Sequence, residues 1–211
     1  MEGQLQTLGY ETVRFGGVNR FQTATIIAEQ GLGDPDTLLI ANGGDFADSI
    51  VAGAAASAVG DGTSVQAAVL LTSGADVPPE TAAYLDGRTT SPELIAIGAS
   101  AGLAYPAAEQ VSGANRFLTA LAVADRFFSS PTVIGVARAD DFPDGLSGGA
   151  VVGRPEIGPG PVVLVSTDAL PEPVRTWLVD NAGTIDTAIT FGGTAAVSEA
   201  VQNDIATALG L

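Results

Sequence analysis

Apolar positions along this chain fall into two patterns. Short continuous runs at residues 37–41, 67–72, 94–97, 132–137, 162–165 and 187–191 are bounded by Gly, Pro, Ser or Asp. Runs of that length and composition read as strands buried on both faces of a parallel sheet. Between them, apolar residues recur at helical spacing. Phe21, Ala24, Ile27 and Ala28 share one side of a helix that Asn19 caps and Gly31 and Gly33 stop. A second helix opens at Asp45, with Asp48 in its first turn, where two carboxylates satisfy free amides and suit the helix dipole. Residues 50–56 make that helix apolar nearly all round, which predicts a central position. Pro78-Pro79 opens a short helix over 80–85. Helices over 116–128, from Asp141 to about Val152, over 171–179 and up to Leu209 complete the pattern. Strands alternating with helices argue for parallel α/β sheets covered on both faces.

The order of elements is written twice. Asn19-Arg20-Phe21-Gln22-Thr23-Ala24 returns 96 residues later as Asn115-Arg116-Phe117-Leu118-Thr119-Ala120. Asp45-Phe46-Ala47-Asp48 returns at the same spacing as Asp141-Phe142-Pro143-Asp144. The period is longer than the 20–50 residues of solenoid repeats, so each copy is expected to be a small domain, 1–104 and 105–211. The lead-in at 10–15 matches the one at 109–113. Leu5 and Leu8 read as the tail of an earlier element. The stretch 99–106 is too short to match the last helix of the second copy.

Composition narrows the function classes. No apolar run reaches about 18 residues, so no spanning helix is expected. The N-terminus lacks the basic and apolar regions of a signal peptide, which leaves a cytoplasmic protein or a piece of a longer exported chain. The chain has no Cys and no His, which removes thiolate chemistry and the commonest acid–base residue. The formal charge is −16, and all eight basic residues are arginine. Such a surface repels phosphate backbones, so a nucleic-acid partner is not expected. It fits a salty or cation-rich setting, and equally an acidic protein from a genome that prefers Arg to Lys.

The candidate chemistry is sparse. Asn42-Gly43-Gly44 follows a strand and opens a helix, where open α/β sheets bind ligands. Asp45 occupies that helix cap, however, and no GxGxxG or GxxxxGKS is present, which argues against a nucleotide. Asp45 with Asp48, and Asp141 with Asp144, share a helix face and could hold a divalent cation, but double helix capping accounts for them without metal. No serine has a histidine or lysine to activate it, and no GxSxG elbow occurs, so an enzyme is not expected. Arg20 and Arg116 are unusual, because a cation in the first turn of a helix opposes the macrodipole. Each is expected either to pair with an acid on the adjoining helix, Asp48 or Asp144, or to grip an anionic ligand with its planar fork.

Taken in order, Gly-x-Asn-Arg-Phe-x-Thr-Ala, an apolar strand, Asp-Phe-x-Asp, a strand of the Val-Leu-Leu-Thr type, a Pro-started helix and Gly-Gly-x-x-Ala-Val-Ser resemble the bacterial cell wall-binding repeat of type 2. The match covers both copies. The closest segments are 113–120, 141–150, 161–165 and 192–198. The resemblance implies two tandem Rossmann- or Toprim-like units, each a mostly parallel sheet flanked by helices. It further implies a non-catalytic module of an exported protein at the cell wall or cell surface, held non-covalently to a cell-wall polysaccharide or other anionic polymer. Members often pack three copies as a pseudo-trimer, so other copies of the repeat are implied partners. Arg20, Arg116 and the neighbouring Asp45, Asp48, Asp141 and Asp144 are then candidates for polymer binding or packing between units. No cofactor is implied, although a charge of −16 would need Ca²⁺ or Mg²⁺ to bridge it to an anionic polymer. A structural surface-assembly domain without a glycan ligand is the alternative, and a metal-dependent hydrolase the third.

Overall fold

A computed structural model of the chain describes residues 1–59, 66–154 and 159–211. After a short exposed helix α1 (Glu2–Thr7), the first unit runs α2 (Arg20–Ile26), a π turn (Ile27–Gly31), β1 (Thr37–Asn42), α3 (Phe46–Ala58), β2 (Ala67–Thr72), α4 (Pro79–Asp86), β3 (Glu93–Ile97) and α5 (Ala99–Ala104). A three-residue strand β4 (Glu109–Val111) leads into the second unit. That unit comprises α6 (Arg116–Phe127), β5 (Val133–Arg138), α7 (Pro143–Val152), β6 (Val162–Val165), α8 (Glu172–Asn181), β7 (Thr187–Thr190) and α9 (Glu199–Leu209). Both sheets are parallel throughout, as the unbroken apolar runs require. Their orders are β2-β1-β3-β4 and β6-β5-β7. β4 lies in the lead-in to the second copy, yet it pairs with β3 in the first sheet, Ile95 beside Glu109 and Ile97 beside Val111.

Side-chain alternation along the central strands divides the core. Leu38 and Ile40 of β1 point with Ala28 and Ala101 to one face, and Leu39 and Ala41 point to the other. All four β1 side chains are fully buried, each such Leu or Ile contributing about 1.5–3 kcal/mol. In the second unit Ile134 and Val136 face Val174, Leu178, Val201 and Ile205 of α8 and α9. The cluster under Leu39 and Ala41 crosses the chain: Ala47, Ile50, Val51, Ala54 and Ala55 of α3 pack with Ala120, Val123, Ala137 and Val152 of the second unit. This is the central position that the small, apolar α3 predicts.

The α3–α7 contact is tight at two glycines. A Cβ at Gly145 would stand 2.8 Å from Ile50 Cδ1, and one at Gly153 would overlap the Ser57 hydroxyl, whereas one at Gly149 would meet the Ile50 carbonyl at an ordinary 3.6 Å. Residue numbers rise together on the two helices, so α3 and α7 run parallel. In the first unit Arg88, with its side chain almost wholly buried, binds Asp34, reaches Asp36 at 3.4 Å and donates to Tyr84 Oη at 2.8 Å. The second copy has Thr at the matching position, 184.

Of the expected double capping by Asp45 with Asp48 and by Asp141 with Asp144, only Asp45 caps its helix through a side-chain hydrogen bond among the described residues. Asp45 Oδ1 accepts from the Ala47 amide at 3.3 Å. The residue matching Ala47 is Pro143, which has no N–H to donate. Helix α7 therefore starts at Pro143 with no side-chain cap, and Asp141 instead accepts from the Phe142 amide at 2.9 Å.

Candidate binding groove between the two units

The repeated Asn-Arg-Phe-x-Thr motif builds the same helix entry twice. Asn19 and Asn115 accept from the Gln22 and Leu118 amides at 2.9 and 3.0 Å. Thr23 and Thr119 accept from the Gly17 and Gly113 amides, both at 3.0 Å. The asparagine bonds satisfy amides that the first helical turn leaves free, and the threonine bonds tie the preceding loop to the helix. The arginines then extend over the C-terminal end of the central strand: Arg20 donates to the Gly43 carbonyl, and Arg116 to the matching Ala139 carbonyl.

Neither arginine pairs with the acid expected on its own unit. Arg116 reaches across to the first unit and binds Asp45 at 3.0 Å, rather than Asp144. Its guanidinium also lies 5.7 Å from the Phe46 ring centre, which sits 5.8 Å from Phe142. The bond to Gly43 is the one Arg20 makes in place of an ion pair with Asp48. The reason is geometric. Holding the strand-end carbonyl carries the guanidinium past its own helix, toward the spot where a neighbouring unit presents the cap of its α3-type helix. Arg116 has that neighbour in the first unit, whereas Arg20 forms no ion pair among the described residues.

Asp48 and Asp144 play a matching part elsewhere. Each carboxylate fills the space where a Cβ would stand at Gly98 or Gly192, both held at positive φ, 85° and 95°. Only glycine gives that turn without strain and with room for the carboxylate. Asp48 accepts no hydrogen bond among the described residues. Burial, reinforced by the neighbouring Asp45 charge and opposed by Arg116, pushes its carboxyl up to about 6.

The N-termini of α3, α5 and α6 converge on a groove of about 580 Å³, closed on its far side by the strand ends of β5 and β6. Asp45, Asp48 and Ser100 line it from the first unit, and Asn115, Arg116, Asp140 and Ser166 from the second. Asp140 is paired with Arg138 at 2.7 Å, a hydrogen bond that holds its carboxyl below the usual range. Three of the six residues singled out in the sequence, Arg116, Asp45 and Asp48, thus meet in one place. Arg20, Asp141 and Asp144 lie away from it. Sequence reasoning missed Asp140, Ser100 and Ser166. All three follow β-strands, and their positions just past strand ends were the available signal. Among the described residues no group of three or more acidic side chains is placed to hold a metal ion, and no helix is long and apolar enough to cross a membrane.

Comparison with known proteins agrees with this architecture. No curated protein sequence matches significantly. Among solved structures, Cwp6 from Clostridium difficile superposes with a TM-score of 0.67 at 24% identity, over 94% of this chain and 33% of its own. Cwp8 from the same organism superposes with a TM-score of 0.71 at 20% identity, over 97% of this chain and 35% of its own. At these identities the likeness is one of fold, and the chain spans about a third of either protein's length. The profile described as Cell wall binding domain 2 (CWB2) matches residues 14–103 and again residues 110–202. Matched in tandem over most of its length, the chain belongs to the Cell wall binding domain 2 family.

Proposed function

We propose that the chain is a non-catalytic module that anchors a larger exported protein to a cell-wall polymer, with the groove between the units as the contact site. The observation that carries this reading is the groove itself. It exists only because two family units dock through Arg116, Asp45 and the α3–α7 crossing, and three helix N-termini and two strand ends open into it. The chain has no His, Cys or Lys, so its serines lack the histidine or lysine that usually activates a serine nucleophile. The test is retention of the purified chain by isolated wall and by wall stripped of its secondary polymers. The reading expects retention by intact wall and its loss on stripping. It fails if neither preparation retains the chain across a range of salt and Ca²⁺.

The second partner of this reading is a further copy of the repeat. Among the described residues Arg20 forms no ion pair of the kind Arg116 makes with Asp45, and Asp141 forms none with an arginine. β7 has a neighbour only on its β5 side among the described residues. The helices add a directional argument. On α3, Ser49 and Gly53 stand one position before the Ile50 and Ala54 that meet α7. On α7, Leu146 (55% exposed) and Ala150 stand one position after Gly145 and Gly149. One residue turns a helix face by about 100°. For parallel neighbours, a step back on one helix and a step forward on the other point to the same side. One further helix of this type would therefore fit both open faces, with its own knobs against Gly53. Appending a third copy of the repeat tests this. Folding of the added unit onto the first two should raise Tm, and Asp141→Arg should cancel the gain. Unchanged Tm on extension refutes it.

A further inference from the structure

The groove's polar inventory restricts what it can hold. Its carboxylates, Asp45, Asp48 and Asp140, are acceptors only when ionised. Its cations are already engaged. Arg116 is shared between Asp45, the Ala139 carbonyl and the Phe46 ring, and the adjoining Arg138 is bound to Asp140. Of the converging helix N-termini, which would otherwise favour an anion, that of α3 has protein carboxylates in place: Asp45 caps it, and Asp48 lies in its first turn, packed against Gly98 at the start of α5. An incoming phosphate or carboxylate would meet the unpaired Asp48 carboxylate, two further carboxylates already paired with arginine, and no uncommitted cation among the described residues. Asp48, by contrast, is a partly buried acceptor with no donor among the described residues. The hydroxyls of Ser100 and Ser166 are likewise unengaged there and can donate or accept.

We infer that the groove recognises its polymer through hydroxyl donors on an uncharged sugar face, and not through phosphate or carboxylate groups. This rests on the proposed wall-anchoring role and narrows it to the ligand's chemistry. Carboxylates paired with vicinal sugar hydroxyls form charge-assisted hydrogen bonds, and the volume lies within the range of sites for small ligands. A chain of charge −16 would then reach an anionic wall against long-range repulsion, so salt should help binding rather than weaken it.

The test uses the full chain on purified wall in EDTA, with NaCl raised from about 0.02 to 0.5 M, across the range where the Debye length falls well below 10 Å. Retention should stay level or rise with salt, and polyglycerol phosphate should not compete. Mild periodate, which cleaves vicinal diols and leaves phosphodiesters intact, should lower retention about tenfold or more, the scale of a lost charge-assisted bond. Asp140→Ala should weaken retention severalfold with Tm unchanged, while Asp76→Ala, which does not line the groove, should leave retention unchanged. Retention that falls with salt, is competed by polyglycerol phosphate, or requires Ca²⁺ or Mg²⁺ would overturn the inference and leave the anchoring role standing. Absence of retention by any wall preparation would overturn both.

Discussion

Replacing Asp48 by Asn isolates the cost of burying its carboxylate in the folded chain. The side chain is isosteric, and Asp48 accepts no hydrogen bond among the described residues, so the amide forfeits none. In the folded chain the carboxyl titrates near 6, against an ordinary 3.8. A folded pKa above the unfolded one means that Asp48's contribution is fully present below 3.8 and is lost as pH rises through 6. The full difference corresponds to about 3 kcal/mol, and the partial exposure of Asp48 reduces this to about 1–2 kcal/mol. Asp48→Asn should therefore stabilise the chain at pH 7.5 by that amount, raising Tm by about 3–6 °C for a protein of this size. At pH 4, where wild-type Asp48 stays protonated in the folded state, most of the gain should vanish. Thermal unfolding of both proteins at the two pH values is sufficient. Equal gains at both, or a loss at pH 7.5, would refute the burial argument.

Three further outcomes are expected. A double-mutant cycle on Arg116→Ala and Asp45→Asn should give a coupling of about 0.5–1 kcal/mol, as for a half-exposed pair; pairing Arg116→Ala with Asp144→Asn should give none, and urea unfolding reads both. Gly160→Ala should cost about 3 kcal/mol or more, because its Cβ would overlap the backbone carbonyl of Val133, whereas Gly183→Ala, with nothing within 4 Å, should leave the urea midpoint within experimental scatter. Arg88→Met should destabilise by about 1–3 kcal/mol through the loss of hydrogen bonds to Asp34 and Tyr84; an unchanged midpoint would show that this buried arginine is replaceable by an apolar side chain.

Whatever depends on local chemistry was legible in the sequence. Six strands lie within a residue or two of the apolar runs, both Asn caps form, and the all-apolar α3 is central, because burial, capping and turn chemistry act over a few residues. β4 was read only as a lead-in. Glu109-Gln110-Val111 is short and two-thirds polar, and it becomes a strand because β3 offers an edge. The partner of Arg116 was assigned to the wrong acid for a related reason. Asp45 and Asp144 lie in equivalent motifs, and nothing in either sequence says which unit's carboxylate the guanidinium will reach. The failure of the Asp141 cap was legible in principle, since Pro143 announces a missing N–H.

The placement of β4 sets the unit of duplication out of phase with the unit of folding. The repeat that recurs at 96 residues begins with a strand that completes the sheet before it, as one roof tile overlaps the next. A fragment cut at Ala104, where the first copy ends by sequence, would strip β3 of one of its two neighbours and leave unpaired amides and carbonyls along Ile95 to Ile97, an edge that invites pairing with other chains. A fragment carried through to Gly113 would keep the sheet closed on that side. Adding or removing a copy at this junction therefore transfers one sheet edge from one neighbour to another.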